Sequence, residues 1–140
     1  MATGTAGDTA RNYHTYQTHY LIKQILYTDD GTELSMGYVP AGSIIVDARC
    51  EVETAFDDSG NDYVIIGNAS DPNEFCNNLD VSGTGTKLDA TTFNAAADKV
   101  YTSATEIVCQ YDGANSNASA GLAYAIVQYV VDPSVVDTSA

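Results

Sequence analysis

From Ile44 to Phe56 the chain alternates without a break. Ile44, Val46, Ala48, Cys50, Val52, Thr54 and Phe56 fall on one side of an extended backbone, and Asp47, Arg49, Glu51 and Glu53 on the other. Successive side chains of a strand point to opposite faces, so the pattern describes a half-buried antiparallel strand. A strand inside a parallel sheet would be apolar on both faces. The run is well over the common strand length of roughly 5–6 residues, so a bend or bulge inside it is expected. Asp57-Asp58-Ser59-Gly60-Asn61-Asp62 is turn chemistry, and Tyr63 to Gly67 is apolar enough to form a returning strand. Val39 to Gly67 therefore reads as a long strand, a tight turn and a strand coming back.

The same grammar recurs along the chain. Tyr13 to Thr28 is rich in Tyr and β-branched residues, which favours strand. Tyr13, Tyr16, Tyr20 and Tyr27 also fall at spacings that share a helical face, so strand is chosen on propensity and on the lack of good helix formers before Leu21. Asp29 to Thr32 supplies a turn, and Glu33 to Tyr38 leads to Pro40. Asn68 to Ala90 reads as a surface loop broken by Asp71-Pro72-Asn73 and Ser82-Gly83-Thr84-Gly85, with a short strand near Leu79 to Val81. Phe93 to Ala97 has the composition of one helical turn. Thr105 to Asp112 alternates again, Asp112 to Ser119 reads as a polar hairpin loop, and Gly121 to Val131 is apolar enough on both sides to be a central strand. Strands between Gly-, Asn- and Asp-rich turns predict an all-β protein, an antiparallel β-sandwich of jelly-roll type. Residues 1–12 are small and polar and are expected to form a flexible arm, residues 13–132 the sandwich, and 133–140 a short tail.

Charge and cysteine content narrow the function classes. Nineteen acidic residues face five basic ones, a formal charge of −14. Phosphate backbones and anionic membranes require clustered Lys or Arg, so direct nucleic-acid or membrane binding is not expected. Cys50, Cys76 and Cys109 are odd in number and have no C-x-x-C spacing, which speaks against a disulfide framework or a zinc site and for a reducing compartment. Neither a signal-like basic and apolar N-terminus nor a run of about 20 apolar residues is present, so a cytoplasmic product is expected.

Few residues propose themselves for chemistry. His14 and His19 are five apart, which suits no paired metal site. Asp57, Asp58, Asn61 and Asp62 are the best-placed oxygen donors for calcium, yet their spacing departs from D-x-[DN]-x-[DN]-G, no glutamate closes the loop, and turn chemistry accounts for them. No metal or cofactor is expected. Glu51 and Glu53 share a strand face and read as solvated surface, and there is no nucleophile elbow, phosphate loop or H-E-x-x-H. An enzyme is not expected. Asn68-Ala69-Ser70 and Asn117-Ala118-Ser119 match the glycosylation sequon, which has no bearing without secretion. Ten tyrosines and no tryptophan leave two readings open, ordinary sheet packing and an interface near the N-terminus, where four of the ten lie between Tyr13 and Tyr27.

The phrase from Val39-Pro40-Ala41-Gly42 through Val52-Glu53-Thr54-Ala55-Phe56-Asp57 to Val64-Ile65-Ile66-Gly67-Asn68-Ala69 resembles small β-sandwich structural proteins of tailed-bacteriophage virions, as does the closing Leu122 to Val130. The resemblance implies a decoration, or cement, protein on the outer capsid surface that bridges subunits of the major capsid protein, as a homo-oligomer with a trimer favoured. The protein would be made in the host cytoplasm. On this reading the contact falls to the N-terminal arm and the tyrosines after it, with Arg11, Tyr13, His14 and Tyr16 as the contact residues. The long Asn68 to Thr91 segment departs from the resemblance and keeps an alternative open, a carbohydrate- or receptor-binding module of a tail or fibre with its site in Asp112 to Ala120.

Overall fold

The computed structural model describes residues 17–132. The expected arm, its boundary with the sandwich, and the tail lie outside them. Two antiparallel sheets face each other. The first contains β1 (Thr18–Leu26), β3 (Ser43–Thr54), β6 (Gly85–Lys87) and β9 (Leu122–Val131) in the order β1-β9-β3-β6, with the two-residue β7 (Val100–Tyr101) beside the start of β3. The second contains β2 (Glu33–Val39), β4 (Asp62–Asn68), β5 (Cys76–Asp80) and β8 (Thr105–Gly113) in the order β2-β8-β4-β5. The chain crosses from one sheet to the other at nearly every connection. That is the jelly-roll winding, in which interleaved strands seal two sheets around one core.

The winding corrects two expectations. Val39 to Gly67 is not a hairpin: β3 pairs with β9 and β6, and β4 pairs with β8 and β5. Asp112 to Ser119 is not a hairpin loop either, since it carries the chain from β8 in one sheet to β9 in the other. Alternation specifies which face of a strand is buried, and Gly, Asn and Asp mark where the chain reverses. Neither distinguishes a reversal within a sheet from an arch to the facing sheet. Among the described residues, β4 and β5 are the one pair of consecutive strands that bond to each other.

The expected irregularity in the long strand is present. The register of β3 against β9 shifts between Ile45 and Asp47 and again between Val52 and Thr54. The first bulge inverts the alternation, so Ile45 is buried while Val46 is exposed and Ile44 only half-buried. A bulge places two residues opposite one and flips the pleat beyond it, which an unbroken count of every second residue misassigns.

Asn68 to Ala90 is more than a surface loop. Phe75, Cys76, Leu79 and Val81 are all buried, and the Phe75 N–H donates to the Ile66 carbonyl at 2.9 Å, so β5 completes the second sheet. Four apolar residues among turn formers are too sparse for a periodic signal. The chain can lie this close because Gly67 has no side chain: a Cβ there would collide with the backbone of Asp71, Pro72 and Glu74. The helical turn expected at Phe93 to Ala97 is the short helix α1 (Ala90–Ala95), capped by Asp89, whose carboxylate accepts from the N–H groups of Thr92 and Asn77, each at 3.0 Å.

Tyr111, Phe56 and Phe75 are the largest fully buried side chains. Each contributes about 2–3 kcal/mol by leaving water. The Phe56 and Tyr111 rings stand 4.4 Å apart at 42°, where the first arch meets β8.

Candidate interaction surface

The acidic turn and the Asn-rich loop, far apart in sequence, form one structure. Asp57 Oδ1 accepts from the N–H groups of Ser119 (2.6 Å) and Ala120 (2.9 Å), and its Oδ2 from the Ser119 hydroxyl (2.7 Å). Asp58 Oδ1 accepts from Gly60 N–H (2.7 Å) and Asn115 N–H (3.1 Å), and its Oδ2 from Asn117 N–H (2.9 Å). In return the Ser59 N–H donates to Asn117 Oδ1 at 2.9 Å, and the Asn115 and Asn117 amides both donate to Ser59 Oγ. The Asn61 carbonyl takes Ala114 N–H at 2.9 Å. The two arches that close this end of the sandwich are thus clasped together.

The clasp accounts for the residues singled out as calcium donors. A cation would have to displace N–H donors that already fill the Asp57 and Asp58 carboxylates. Asp62 is buried beneath them, where its Oδ1 accepts from the Tyr111 hydroxyl at 2.6 Å and from Asp58 N–H at 3.2 Å. The Ser119 hydroxyl, then the Ser119 and Ala120 N–H groups, hold the Asp57 pKa below the ordinary carboxylate value. Burial works against the Asp58 carboxylate, but the N–H donors of Asn117, Gly60 and Asn115 outweigh it and leave its pKa lowered too. The same bonds occupy the N–H groups of Asn115, Asn117, Ser119 and Ala120 and the Asn117 side chain within the Asp112 to Ala120 loop.

Other candidates resolve into structure. Asn68, in the first sequon, is buried, donates to the Tyr101 hydroxyl at 2.9 Å and accepts from the N–H groups of Ser70 and Asp71. Both Glu51 oxygens accept from the Thr86 hydroxyl across the β3–β6 pair. His19 stacks on Tyr129, its cross-strand neighbour, with ring centroids 5.3 Å apart. Val46, Ala48, Leu88 and Phe93 line an open groove of about 240 Å³ between β3 and α1. Among the described residues no group of His, Cys, Asp and Glu is placed to hold a metal ion, and no helix is long and apolar enough to cross a membrane.

Arg11, Tyr13, His14 and Tyr16 lie outside the described residues. The strand just after them, β1, carries the most distinctive surface of the molecule. On the outer face of the first sheet, Tyr20 is 57% exposed and Ile22 59% exposed, with Leu26 beyond them. They pair across to Gln128, Ile126 and Leu122 of β9, and next to these on β3 come Asp47, Arg49 and Thr54, with Asp47 and Arg49 in an ion pair. Residues 9–28 and 113–131 contain no Asp or Glu at all, although the chain has 19. The first of these runs holds both histidines and two of the five basic residues, Arg11 and Lys23. Sheet pairing sets the two acid-free runs side by side as β1 and β9. Mapping the acids along the chain would have revealed each run, but their adjacency belongs to the fold. The start of β1 lies beside the end of β9, since Thr18 pairs with Val130.

No family model matches the chain, and no curated protein does. Solved structures do. A chain in the capsid asymmetric unit of cyanophage Pam1 superposes with a TM-score of 0.61 at 10% identity, over 84% of this chain and 86% of that one. The fold is that of chains found in phage capsids. A chain of the acidic stable capsid of Helicobacter pylori bacteriophage KHP30 matches with a TM-score of 0.56 at 17% identity, over 83% and 88% of the two chains. A third, from the capsid of Ralstonia phage GP4, gives 0.55 at 16%, over 84% of each. Because the covered shares are so nearly equal, each matched chain is close to this one in length. The likeness therefore spans most of chains of similar length found in phage capsids, and it is a likeness of fold.

Proposed function

We propose that this protein is a structural component of a phage virion, a decoration protein that binds the outer surface of the capsid and bridges subunits of its major capsid protein. The observation that carries the reading is the fold shared with chains of near-equal length in three phage capsids. Charge distribution supports it. A −14 chain is repelled by packaged DNA and suits the exterior of the shell. Its acid-free strip, Tyr20, Ile22 and Leu26 beside Ile126, is the face that can meet another protein without stranding a carboxylate. Arg11, Tyr13, His14 and Tyr16, in the segment leading into β1, would continue that contact as an arm that orders on the shell, at an entropic cost offset by added area. A clamp of this kind performs no catalytic step.

The test is reconstitution. Capsids prepared without the protein are incubated with it, and binding to saturation with a raised disruption temperature of the particle is expected. Deleting residues 1–12 is expected to weaken binding while leaving thermal unfolding of the free protein nearly unchanged. Unchanged binding would remove the arm from the contact, and association with tails but not shells would overturn the reading.

A further inference from the structure

The free edge of β1 is a second feature the capsid reading does not use. β1 bonds to β9 through nine consecutive residue pairs, Thr18 with Val130 to Leu26 with Leu122, with no bulge. Among the described residues no strand lies on its other side, and the one main-chain hydrogen bond from that side is at its end, where the Leu26 N–H donates to Asp29 Oδ2 at 2.9 Å. Long, regular edge strands are templates for pairing, and proteins ordinarily blunt them with Pro, bulges or charge. β1 contains no Pro and no acid, and its one full charge, Lys23, is half-buried toward the inner side.

We propose that β1 pairs antiparallel with β1 of a second copy of this chain about a two-fold axis at Ile22, joining two first sheets into one. Charge selects the partner and the place. Two copies carrying −14 each repel wherever acids face one another, and β1 and β9 themselves carry none, with Asp29 standing at the far end of the edge beyond Leu26. The register is self-complementary. With Ile22, the middle residue of the strand, on the axis, all nine residues overlap: Ile22 faces its own copy, Tyr20 faces Gln24, and Lys23 stands opposite Leu21 instead of another Lys23. Such pairing closes with two copies, so the unit is a dimer and not the trimer that the resemblance implies. It involves the sheet edge, leaves the outer face of Tyr20 and Ile22 for another partner, and does not depend on the capsid reading.

The test uses the full chain alone in solution. Cys50, Cys76 and Cys109 are buried, so Ile22→Cys introduces the only accessible thiol among the described residues. Mild oxidation is expected to convert this variant to a disulfide-linked dimer, because directly opposed strand residues lie within disulfide reach. Val46→Cys, exposed on the same sheet but away from the edge, is expected to stay monomeric on a non-reducing gel. Sedimentation of the unaltered protein at high micromolar concentration is expected to show a dimer, and Ile22→Lys, which sets like charges opposite each other at an exposed position, is expected to abolish it with the circular dichroism of the fold retained. A monomeric unaltered protein, equal cross-linking of both cysteine variants, or a trimer indifferent to Ile22→Lys would each overturn the proposal. If Ile22→Lys fails to fold, the cross-linking of Ile22→Cys decides alone.

Discussion

Asp57 and Ser119, 62 positions apart, meet through both oxygens of the aspartate: Oδ1 takes the Ser119 N–H at 2.6 Å and Oδ2 its hydroxyl at 2.7 Å. One carboxylate thereby ties the arch leaving the first sheet to the arch returning to it. The acidic turn holds the chain's own fold closed.

The clasp makes stability depend on acid. Hydrogen bonding lowers the folded-state pKa of Asp57, so its contribution is fully present above the unfolded-state value of about 4 and is lost as pH falls through the lower folded value. The thermal midpoint is expected to hold steady toward neutral pH and to decline below pH of about 4. Asp57→Asn is expected to lower the midpoint at neutral pH and flatten that decline, with faster hydrogen exchange at Ser119 and Ala120. A variant curve parallel to the unaltered one would take Asp57 out of the acid response.

Beneath the clasp, Asp62 and Tyr111 are both buried and joined at 2.6 Å. Burial, then the Asp62 acceptor, pushes the Tyr111 hydroxyl well above its ordinary pKa, so it stays protonated in the native state through mild alkali. Tyr111→Phe is expected to cost roughly 1–2 kcal/mol, and Asp62→Ala more, because it leaves the hydroxyl without a partner. Urea unfolding of the two variants gives the order.

Gly121 lies against the Phe56 ring, at φ 151°, where an added Cβ would overlap several ring atoms. Gly121→Ala is expected to destabilise by about 2 kcal/mol or more, since neither the backbone nor the buried ring can give way freely. Gly83→Ala, with only the tip of Lys87 nearby, is expected to stay within about 0.5 kcal/mol of the parent in the same denaturant series.

Desolvation holds the thiols of Cys50, Cys76 and Cys109 at a pKa of about 12. Below that pH they are neutral as well as inaccessible, and the thiolate is the reactive form. Alkylation of the native protein at pH 8 is expected to leave all three unmodified by mass spectrometry, and all three are expected to react in denaturant.

Fold class was legible in local pattern. Alternation in Ile44 to Phe56 and Thr105 to Asp112, and the doubly apolar run from Gly121, identify β3, β8 and β9, because burial of one strand face or of both leaves its mark every second residue. Of β5 only the end near Leu79 was legible, since Phe75 and Cys76 stand too far from Leu79 and Val81 among turn residues to show a period and are buried by what packs on them. The Asp57 to Asp62 turn showed its chemistry but not its direction.

The order of residues is enough to dictate that this chain forms strands, which of them show one face to the core, and that its acids avoid two particular runs. It took the folded molecule to set those runs side by side as β1 and β9, to arch the acidic turn across to the facing sheet, and to end its carboxylates on the N–H groups of Ser119 and Ala120. The difference is one of range. Side-chain alternation and turn preference are settled between neighbours in the chain, whereas a strand's partners are settled by closing loops of many residues around a shared core.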